Sequence, residues 1–554
     1  MDFKQEIIKR LKNITGLDEI PLEIPPDPLM GDYAFPCFVL CKKLKKPPVD
    51  IAKDLIDRFK TGKFIEKVES NGPYLNFFLN KEYFIQDTLD NHFEIKPFPL
   101  NNKRIMVEYS QPNTHKEFHV GHLRNVSLGS ALVNILRFNG YKVIAANYIN
   151  DTGSHVAKCL WYITKYNPKP IGNKGEWLGK MYVLANKKID ENEKYREESS
   201  EILKKLEKKE KEITALWKKT RQYSLDSFNE VYDWLNIEFD VWFYDHELIE
   251  PAKKIVKNLL EKKIAEENEG AIILDLKKYN LHTLIALKSD QTVPYISKDF
   301  ALADIKFNKY KIDKNIYVVG SEQSLHFQQL FKILELYGFK NAKNCYHLSY
   351  ELVMLPEGKM ASRLGNVILF SELKKKVFEI LIKEVKKRHK WNRKKVLDTA
   401  QKIAVSALKF GMINQDNNKT IIFNLKDWLS FEGETGPYLQ YTHARICSVL
   451  RRYGKKIMKV NTSSLKNRED FEIAKLLSEF NDIIEESAKN YKPSLLCRYL
   501  LDLAQKFNNY YRYYPIMREE NEELRKARLM LSVCVKEVLK NGLNLLGIDA
   551  IEEM

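Results

Sequence analysis

The sequence is poor in cysteine and has no long apolar run. Its 554 residues include seven cysteines, none of them in a Cys-x-x-Cys pair, which argues against a disulfide framework and against a zinc ribbon. No apolar segment reaches the roughly 18 residues that a membrane span needs. The first residues, MDFKQEIIKRLKNITGL, predict an amphipathic helix rather than a signal peptide, because they include acidic side chains and no apolar core segment. We therefore expect a cytoplasmic protein with no membrane partner and no protein-bound zinc.

Positive charge is what the chain has in excess. Lysine and arginine number 91 against 74 aspartates and glutamates, which gives a formal net charge of +17. The 44% of hydrophobic and 30% of charged residues are typical of an ordinary folded protein. An excess of positive charge attracts polyanions in a salt-dependent way. Nucleic acid is therefore a candidate partner, although a lysine-rich surface would account for the same charge.

The chain is too long for one hydrophobic core, so about three or four domains are expected. Turn signals, charge runs and helical periodicity set the predicted boundaries. The predicted parts are a small α/β domain over 1–98, a larger domain over 99–350 with a helical insertion at about 155–270, a glycine-bearing loop and basic helix over 351–395, and an all-helical bundle over 396–554.

A strand–helix–strand unit begins the second predicted domain. RIMVEYS is a strand pattern, VGHLRNVSLGSALVNILRFNG has the apolar spacing of a helix that Gly140 ends, and YKVIAANYI is a second strand. Such a unit predicts a parallel sheet. We therefore expect an α/β fold with a Rossmann-type parallel-sheet domain, a small N-terminal α/β domain and a C-terminal helical bundle. Further sheet-like segments are predicted at 270–276, 292–307 and 315–327.

The loop between that first strand and its helix contains three of the chain's eleven histidines, in YSQPNTHKEFHVGHLRN, residues 109–125. In a doubly wound sheet this loop lies beside a helix N-terminus, where unsatisfied N–H groups attract phosphate. His119 and His122 are three residues apart, so they can face one ligand together. Gly121 lets a flat nucleotide approach the backbone, and Lys116 adds a point charge. The stretch therefore predicts a site for nucleotide phosphates.

Two other interpretations of this stretch stay open at this point. His119 and His122 have the His-x-x-His spacing of a metal site, although no cysteine or acidic pair completes a tetrahedral ligand set at a convincing distance. They could also be two hydrogen-bonded structural histidines.

The same stretch resembles a known family. HVGH is similar to the HIGH motif of class I aminoacyl-tRNA synthetases, and GKMASRLGN, residues 358–366, stands where that class has its KMSKS loop. VEYSQPN, NYINDTGSHVAKCLWYI, EQSLHFQQLFKILELYGF and FEGETGPYLQYTHARICSVLRR resemble the arginyl-tRNA synthetase family, as do NGPYLNFFL and ARLMLSVCVKEVLKNGLNLLGI near the two ends. The resemblance covers essentially the whole chain. It implies that L-arginine and ATP form arginyl-adenylate, which passes to tRNA(Arg) with release of AMP and diphosphate.

The resemblance also implies residues that act on ATP, which is expected to carry Mg²⁺. The implied catalytic residues are His119, His122, Lys116 and Lys359, and the implied ATP-binding residues are His119, Gly121, His122, Lys359, Met360 and Ser362. Ser362 replaces the usual second lysine of the KMSKS loop. In family members with such a departure a lysine ahead of the HIGH motif is thought to compensate, and Lys116 stands in that place.

Arginine recognition needs acceptors, because a guanidinium has five N–H donors and no acceptor. The residues that match the family's arginine pocket are Glu108, Asn113, Tyr295, Asp299, Gln323 and Asp245. One helical turn would let Tyr295 and Asp299 face the same ligand, and Asp299 is the expected guanidinium partner. Asp245 stands where the family often has a longer glutamate, and Gln291 replaces a usual glycine. Glu108 could instead cap a strand end, and Tyr295 could belong to the core.

Contacts with tRNA are implied near both ends of the chain. In the family the first domain contacts the D-loop and the last domain binds the anticodon. The matching residues are Asn71, Tyr74 and Asn76 in the first domain and Tyr438, Tyr441, Tyr511 and Met554 in the last. An aromatic ring flanked by amides suits an unpaired base, although tyrosine-rich helices are often only core. A monomer is expected, with tRNA required even for adenylate formation.

Three other functions fit parts of the sequence. A class I synthetase for glutamate or cysteine is disfavoured by the acidic pocket and by the missing zinc-ligand cysteines. A nucleotidyltransferase that does not bind tRNA is disfavoured by the helical last domain and the charge of +17. A catalytically inactive RNA-binding relative is disfavoured by the presence of His119, His122 and Lys359.

Overall fold

The computed structural model describes residues 3–355, 358–359 and 368–554. The described helices are α1 (Phe3–Thr15), α2 (Phe38–Leu44), α3 (Pro48–Arg58), α4 (Lys81–His92), α5 (Val120–Phe138), α6 (Ser154–Tyr166), α7 (Lys174–Glu191), α8 (Glu193–Glu207), α9 (Lys211–Leu235), α10 (Ile249–Glu261), α11 (Tyr295–Tyr310), α12 (Ser324–Tyr337), α13 (Phe370–Arg388), α14 (Arg393–Ile413), α15 (Leu425–Trp428), α16 (Gly436–Tyr453), α17 (Arg468–Ser478), α18 (Phe480–Asn490), α19 (Pro493–Tyr513) and α20 (Glu522–Leu545). The described strands are β1 (Tyr33–Pro36), β2 (Ile65–Asn71), β3 (Tyr74–Leu79), β4 (Arg104–Glu108), β5 (Lys142–Ile149), β6 (Val241–Tyr244), β7 (Glu266–Asn268), β8 (Ala271–Leu274), β9 (Leu284–Leu287), β10 (Lys314–Gly320), β11 (Cys345–Tyr350), β12 (Val353–Leu355), β13 (Gly358–Lys359) and β14 (Ile421–Ile422).

The chain forms two compact units. The first consists of residues 1–95, 445–481 and 502–539, and the second of residues 96–444, 482–501 and 540–554. The domain boundaries proposed from the sequence stay a prediction.

The first unit contains an antiparallel sheet in the order β1-β3-β2. Helix α1 buries Phe3, Ile7 and Leu11, whose spacing of four residues places them along one face of the helix. Helices from distant parts of the sequence pack in the same unit, where Phe84 of α4 meets Phe471 of α17 with ring centroids 5.2 Å apart. Such aromatic contacts supply a large share of the buried apolar area in a small core.

The second unit is built on a five-stranded sheet in the order β11-β10-β4-β5-β6, with every neighbouring pair parallel. Strand β4 is buried over four of its five residues, as expected for a parallel sheet that is covered on both faces. Helix α5 connects β4 to β5, and it ends before Gly140, which has a φ of +80°. The predicted parallel sheet and the predicted helix stop are therefore confirmed.

Two elements of the second unit differ from the sequence-based expectation. The segment 292–307, predicted as sheet, forms most of helix α11, so that prediction is wrong. Strand β6 lies inside the stretch assigned to the helical insertion and pairs with β5. The rest of the stretch contains α6 to α10. Helices α6 to α9 share a core around Trp161 and Trp217, whereas α10 packs with the sheet and α11.

The C-terminal residues of the second unit are held by side chains of α14 and α16. Lys409 donates to the carbonyl of Gly547 over 3.0 Å, and Gln440 donates to that of Asp549 over 2.7 Å. Lys409 is fully buried, and burial lowers the pKa of its ammonium group to about 7. Among the helices described above, none is both long and apolar enough to span a membrane.

Candidate active site

The two histidines of the HVGH sequence cap helix α5. His119 is the N-cap residue, and its Nδ1 accepts a hydrogen bond of 3.1 Å from the backbone N–H of Gly121. His122, at the third helical position, accepts through Nδ1 from the backbone N–H of His119 over 3.2 Å. A neutral imidazole that accepts at Nδ1 carries its proton on Nε2. Each ring is therefore held as an Nε2–H donor.

Both histidines are kept neutral. Burial and the charge of Lys116 lower the pKa of His119 to about 4. Burial, the neighbouring His119 and Lys116 lower the pKa of His122 well below its ordinary value. The two rings lie with their centroids 3.9 Å apart. Because neither ring is protonated near neutral pH, the pair provides two N–H donors without a proton being taken up first.

Gly121 allows this arrangement, because a Cβ on it would lie 2.9 Å from the His119 ring. Close packing against the capping imidazole is the role that the structure gives this glycine, in addition to the predicted approach of a nucleotide. Lys116 lies close enough to the pair for its charge to lower the pKa of both histidines, and its ammonium is 5.0 Å from the centre of the Tyr182 ring. The structure thus brings Lys116, His119, Gly121 and His122 together.

The third histidine of the stretch, His115, belongs to the core. It is fully buried, and its ring nitrogens lie 3.0 Å from the hydroxyl of Thr114 and 2.8 Å from that of Thr220. Burial lowers the pKa of His115 to about 3. His115 is therefore a buried residue whose two ring nitrogens are both hydrogen-bonded within the core.

The GKMASRLGN sequence is described only in part. Lys359 belongs to β13, where its backbone pairs with Met354 of β12. Met360 and Ser362 lie outside the described residues. Arg124 of α5, which sequence reasoning missed, is buried and donates to the carbonyls of Glu351 and Leu352, just ahead of β12. Helix α5 is thereby fastened to the segment that leads into this sequence.

Three carboxylates predicted to bind arginine act on the hydroxyl of Tyr148, which is hydrogen-bonded to Asp245 and lies in the field of Asp299 and Glu108. Burial and the adjacent Asp245 raise the pKa of Tyr148 well above its ordinary value. The negative charges of Asp299 and Glu108 act in the same direction. The structure therefore brings the three carboxylates together at the carboxyl end of the sheet.

The three carboxylates differ in what they already bind. Asp245 is fully buried and accepts hydrogen bonds from Tyr148 over 2.9 Å, from Thr152, and from the ammonium of Lys298 over 2.6 Å. Glu108, also buried, forms an ion pair with the buried ammonium of Lys306. Sequence reasoning missed both lysines.

Asp299 is more accessible than the other two carboxylates. Its Oδ2 lies 2.6 Å from Nε2 of His326, and 18% of its side chain is exposed. Tyr295 lies one turn before it on α11 and is 46% exposed, so it does not belong to the core. Both side chains are positioned to meet a ligand from solvent.

The two polar residues expected to bind the α-amino group of the substrate arginine come after neighbouring strands of the sheet. Asn113 comes after β4 and is bridged to Asn150, which directly follows β5. Gln323 ends a short turn after β10 and is exposed. Strand β10 pairs with β4 in parallel, so both residues lie at the same edge of the sheet.

Three family descriptions match the chain nearly from end to end. "Arginyl tRNA synthetase N terminal domain" matches residues 1–79, "tRNA synthetases class I (R), catalytic domain" matches residues 85–425, and "DALR anticodon binding domain" matches residues 439–554. The chain belongs to the class I arginyl-tRNA synthetase family. The resemblance found in its motifs is thereby confirmed.

Similar proteins include curated members of the arginyl-tRNA synthetase family. A protein of Bdellovibrio bacteriovorus named arginine–tRNA ligase is 39% identical over 545 residues, which cover 96% of this chain and 93% of the relative. One of Halothermothrix orenii with the same name is 36% identical over 571 residues and all of both chains. The solved arginyl-tRNA synthetase of Thermus thermophilus superposes with a TM-score of 0.85 and 28% identity over 99% of each chain. The predicted combination of a Rossmann-type catalytic domain with a helical C-terminal domain is confirmed.

The predicted D-loop residues lie on the β2–β3 hairpin of the first unit. Asn71 is exposed and pairs in register with Tyr74, which is half-buried. The ring of Phe38 lies 5.8 Å from that of Tyr74 and is itself half-exposed. Asn76 is 4% exposed, and its Oδ1 meets no hydrogen-bond donor among the described residues. Asn71 and Tyr74 can therefore meet a base without rearrangement, whereas Asn76 is covered.

The predicted anticodon residues are found in both units. Tyr438 and Tyr441 lie on α16 within the second unit, together with Met554, and all three are half-buried. Tyr511 belongs to the first unit, where the guanidinium of Arg445 lies 5.9 Å from the centre of its ring. The anticodon role of these residues stays a prediction.

Gln291, where the family usually has glycine, adopts a left-handed backbone conformation with a φ of +66°. It lies in a turn that is closed by hydrogen bonds between Lys288 and Thr292 and between Gln291 and Lys288. Glycine adopts such a φ without steric cost, whereas a residue with a Cβ is strained by roughly 1–2 kcal/mol. The turn is therefore kept at an energetic cost.

Proposed function

We propose that this protein is an arginine–tRNA ligase, which activates L-arginine with ATP and transfers it to the 3′ end of tRNA(Arg), releasing AMP and diphosphate. The observation that carries the proposal is the pair of neutral Nε2–H donors, His119 and His122, at the same sheet edge as a cluster of carboxylates. Membership of the synthetase family supports it.

In the first step a carboxylate oxygen of arginine attacks the α-phosphorus of ATP, and the bond to the bridging oxygen of the leaving diphosphate breaks. Charge builds up on the phosphate oxygens as this happens. His119 and His122 donate to those oxygens through Nε2, and Lys116 and Lys359 neutralise the diphosphate end. Chemistry of this kind depends on positioning and electrostatic stabilisation rather than on a protein nucleophile.

Mg²⁺ enters this reaction as part of the ATP substrate. In the described part of the chain no group of three or more histidine, cysteine, aspartate or glutamate side chains is arranged to hold a metal ion. Mg²⁺ commonly binds through substrate phosphates and a few waters rather than through a dedicated protein cage.

Asp299 binds the guanidinium in this proposal, with Tyr295 beside it. Its Oδ1 is left over after the hydrogen bond to His326 uses Oδ2. Asp245 and Glu108 instead pair with Lys298 and Lys306 and shape the wall of the pocket. Asn113 and Gln323 bind the α-amino end, which leaves the carboxylate of arginine facing the histidine pair.

In the second step a terminal ribose hydroxyl of the tRNA attacks the carbonyl carbon of the adenylate, and the bond to the AMP oxygen breaks. Asn71 and Tyr74 contact the D-loop, whereas the covered Asn76 would reach it only after a local rearrangement. Tyr438, Tyr441, Tyr511 and Met554 contact the anticodon. The enzyme acts as a monomer in the cytoplasm.

The test is arginine-dependent exchange between ATP and pyrophosphate, measured with and without cognate tRNA. Exchange with arginine is expected in the presence of tRNA, followed by arginylation of that tRNA. Exchange with lysine or glutamate but not with arginine would show that the protein activates a different amino acid. Absence of exchange under all of these conditions would remove the proposed activity.

A further inference from the structure

The start of helix α13 is joined to the start of helix α5 by backbone hydrogen bonds. The N–H of Phe370 donates to the carbonyl of Phe118 over 2.8 Å. In the opposite direction, the N–H of Val120 donates to the carbonyl of Ile368 over 3.1 Å. This short antiparallel pairing is centred on His119, and we call it the α5/α13 bridge. It begins two positions after the end of the GKMASRLGN sequence, so the chain that leaves that sequence meets the cap of α5 directly.

Aromatic rings pack beside the α5/α13 bridge. Phe118 and Phe370 are both buried, with their ring centroids 5.8 Å apart. The ring of Phe118 also lies 4.8 Å from that of His122, and the ring of Phe370 lies 5.6 Å from that of Trp234 on α9. Because close-packed interiors transmit displacements, a shift at the start of α13 reaches the histidine pair.

One side-chain hydrogen bond joins the same two segments. The hydroxyl of Ser371 donates to Oε1 of Glu117. Glu117 directly precedes the bridge and Ser371 directly follows it, so this bond closes the pairing at one end. Glu117 lies against α7, where a Cβ added to Gly179 would approach the Cβ of Glu117 to 3.0 Å. The absence of a side chain at Gly179 therefore gives Glu117 the room to reach Ser371.

The carboxyl group of Glu117 is half-buried among charges of both signs. Burial raises its pKa above the ordinary value, and Glu176 of α7 and Glu372 of α13 act in the same direction. The hydrogen bond from Ser371 and the charge of Lys180 act against this and favour the ionised carboxylate. An ionised carboxylate at this place is also favoured by the N-terminus of α13. Ser371 is thus the contact that both orients this carboxylate and stabilises its charge.

We propose that Glu117 and Ser371 are positioning residues for adenylate formation. Their hydrogen bond fixes the α5/α13 bridge, and the bridge sets the place of the GKMASRLGN sequence relative to the histidine pair. Lys359 of that sequence acts on the diphosphate end of the same ATP that the histidine pair binds. Glu117 and Ser371 act through these groups and do not touch the substrate themselves. The inference rests on the proposed function, because the reaction with ATP is what requires both sequences at once.

The two steps of the reaction depend on this contact differently. Adenylate formation needs the histidine pair and Lys359 to act on one triphosphate, whereas transfer from arginyl-adenylate to tRNA has no diphosphate left to hold. A misplacement of about 1 Å can lower a rate by about 100-fold. Loss of the hydrogen bond between Ser371 and Glu117 should therefore slow the first step and spare the second. General loosening of the catalytic domain would slow both steps.

The test compares three variants of the full chain in both steps. Ser371→Ala removes the donor, and Ser371→Thr keeps a hydroxyl at the same place. Glu372→Gln changes the next residue of α13, which is exposed, and is the matched control. The first step is measured as arginine-dependent exchange between ATP and pyrophosphate with tRNA present. The second is measured as transfer of arginine to tRNA from chemically prepared arginyl-adenylate, and the melting temperature is recorded for each variant.

Ser371→Ala is expected to lower the turnover number of exchange by about 10- to 100-fold. Its KM for arginine, its rate of transfer and its melting temperature should stay close to those of the unaltered protein. Ser371→Thr and Glu372→Gln should match the unaltered protein in both steps. Equal losses in the two steps of Ser371→Ala, or no loss in either, would overturn the proposal. So would a Ser371→Thr variant as slow as Ser371→Ala, because the hydroxyl would then not be the cause.

The partner residue supplies an independent check. Glu117→Ala removes the acceptor of the same hydrogen bond. Two changes that remove one shared contact are not additive, so Glu117→Ala combined with Ser371→Ala should exchange no more slowly than Glu117→Ala alone. Losses that add up would show that the two side chains act separately, which contradicts the proposal.

Exchange by the unaltered protein separates the two possible failures. If it exchanges with arginine and Ser371→Ala does so equally fast, the inference about Glu117 and Ser371 alone is wrong. If the unaltered protein shows no exchange with or without tRNA, the proposed function itself fails.

Discussion

The ammonium of Lys298 lies 2.6 Å from Oδ2 of Asp245, and both side chains are buried. The two residues belong to α11 and to the turn after β6, which are distant in sequence. The pair therefore ties the helix that carries Asp299 to an outer strand of the sheet. Lys298 therefore forms an ion pair with the carboxylate that the family resemblance assigned to arginine binding.

Asp245→Asn is expected to destabilise the protein by about 3–5 kcal/mol, because Lys298 is left as a buried charge without its partner. The free energy of unfolding from urea titration measures the effect. Combining Asp245→Asn with Lys298→Met should recover much of the loss, since no unpaired charge then remains. A single variant as stable as the unaltered protein would contradict this account.

Asp299→Asn should raise the KM for arginine by roughly 10- to 100-fold, because a charge-assisted bond to the guanidinium is worth more than a neutral one. The KM for ATP and the melting temperature should hardly change, since Asp299 is partly exposed. Steady-state pyrophosphate exchange supplies the constants. Asp304→Asn, five residues further along α11, is the matched control and should leave the KM for arginine unaltered.

His122→Asn separates helix capping from catalysis. The amide oxygen of asparagine can take the place of Nδ1 and accept from the N–H of His119, but asparagine has no donor at the position of Nε2. The turnover number of adenylate formation should fall about 100- to 1,000-fold, the usual cost of losing one such donor. The KM for ATP and the melting temperature should stay close to those of the unaltered protein. A near-normal turnover number would refute the proposed role.

The buried ammonium of Lys409 is expected to make the free energy of unfolding depend on pH. Its pKa is lowered to about 7 in the folded protein, whereas that of an unfolded lysine is about 10.4. Between these values the unfolded chain binds more protons than the folded one, so the Lys409 contribution makes the protein more stable as pH rises. That gain is fully absent below about pH 7.

The comparison with Lys409→Met isolates this effect, because other titrating groups cancel in the difference. The free energy of unfolding of the unaltered protein, minus that of Lys409→Met, should rise between pH 7 and pH 10 by up to about 1.4 kcal/mol per pH unit. Urea titrations at several pH values provide it. A difference that is constant with pH would mean that Lys409 keeps its charge on folding.

Local sequence patterns predicted the elements that depend on neighbouring residues. The β4–α5–β5 unit follows from apolar spacing and from the stop at Gly140, and His119 and His122 follow from their position at the start of α5. Segment 292–307 was predicted wrongly because its short apolar groups suit a strand as well as a buried helix. Strand β6 has only four residues and lies among helices.

The contacts that distinguish the carboxylates could not be predicted from the sequence. Lys298 and Lys306 are separated from Asp245 and Glu108 by 53 and 198 positions, and nothing local in the sequence links them. The same holds for Arg124, whose acceptors lie more than 200 residues away. These pairings exist only because the sheet brings its strand ends to one edge.

The backbone N–H groups that donate to His119 and His122 in the first turn of α5 also fix the proton of each imidazole on Nε2. Acidity within the physiological range leaves both rings neutral, so the proposed phosphate-binding groups need no adjustment when cellular pH changes. Any acid sensitivity of adenylate formation between pH 6 and pH 8 must come from the substrates or from other side chains.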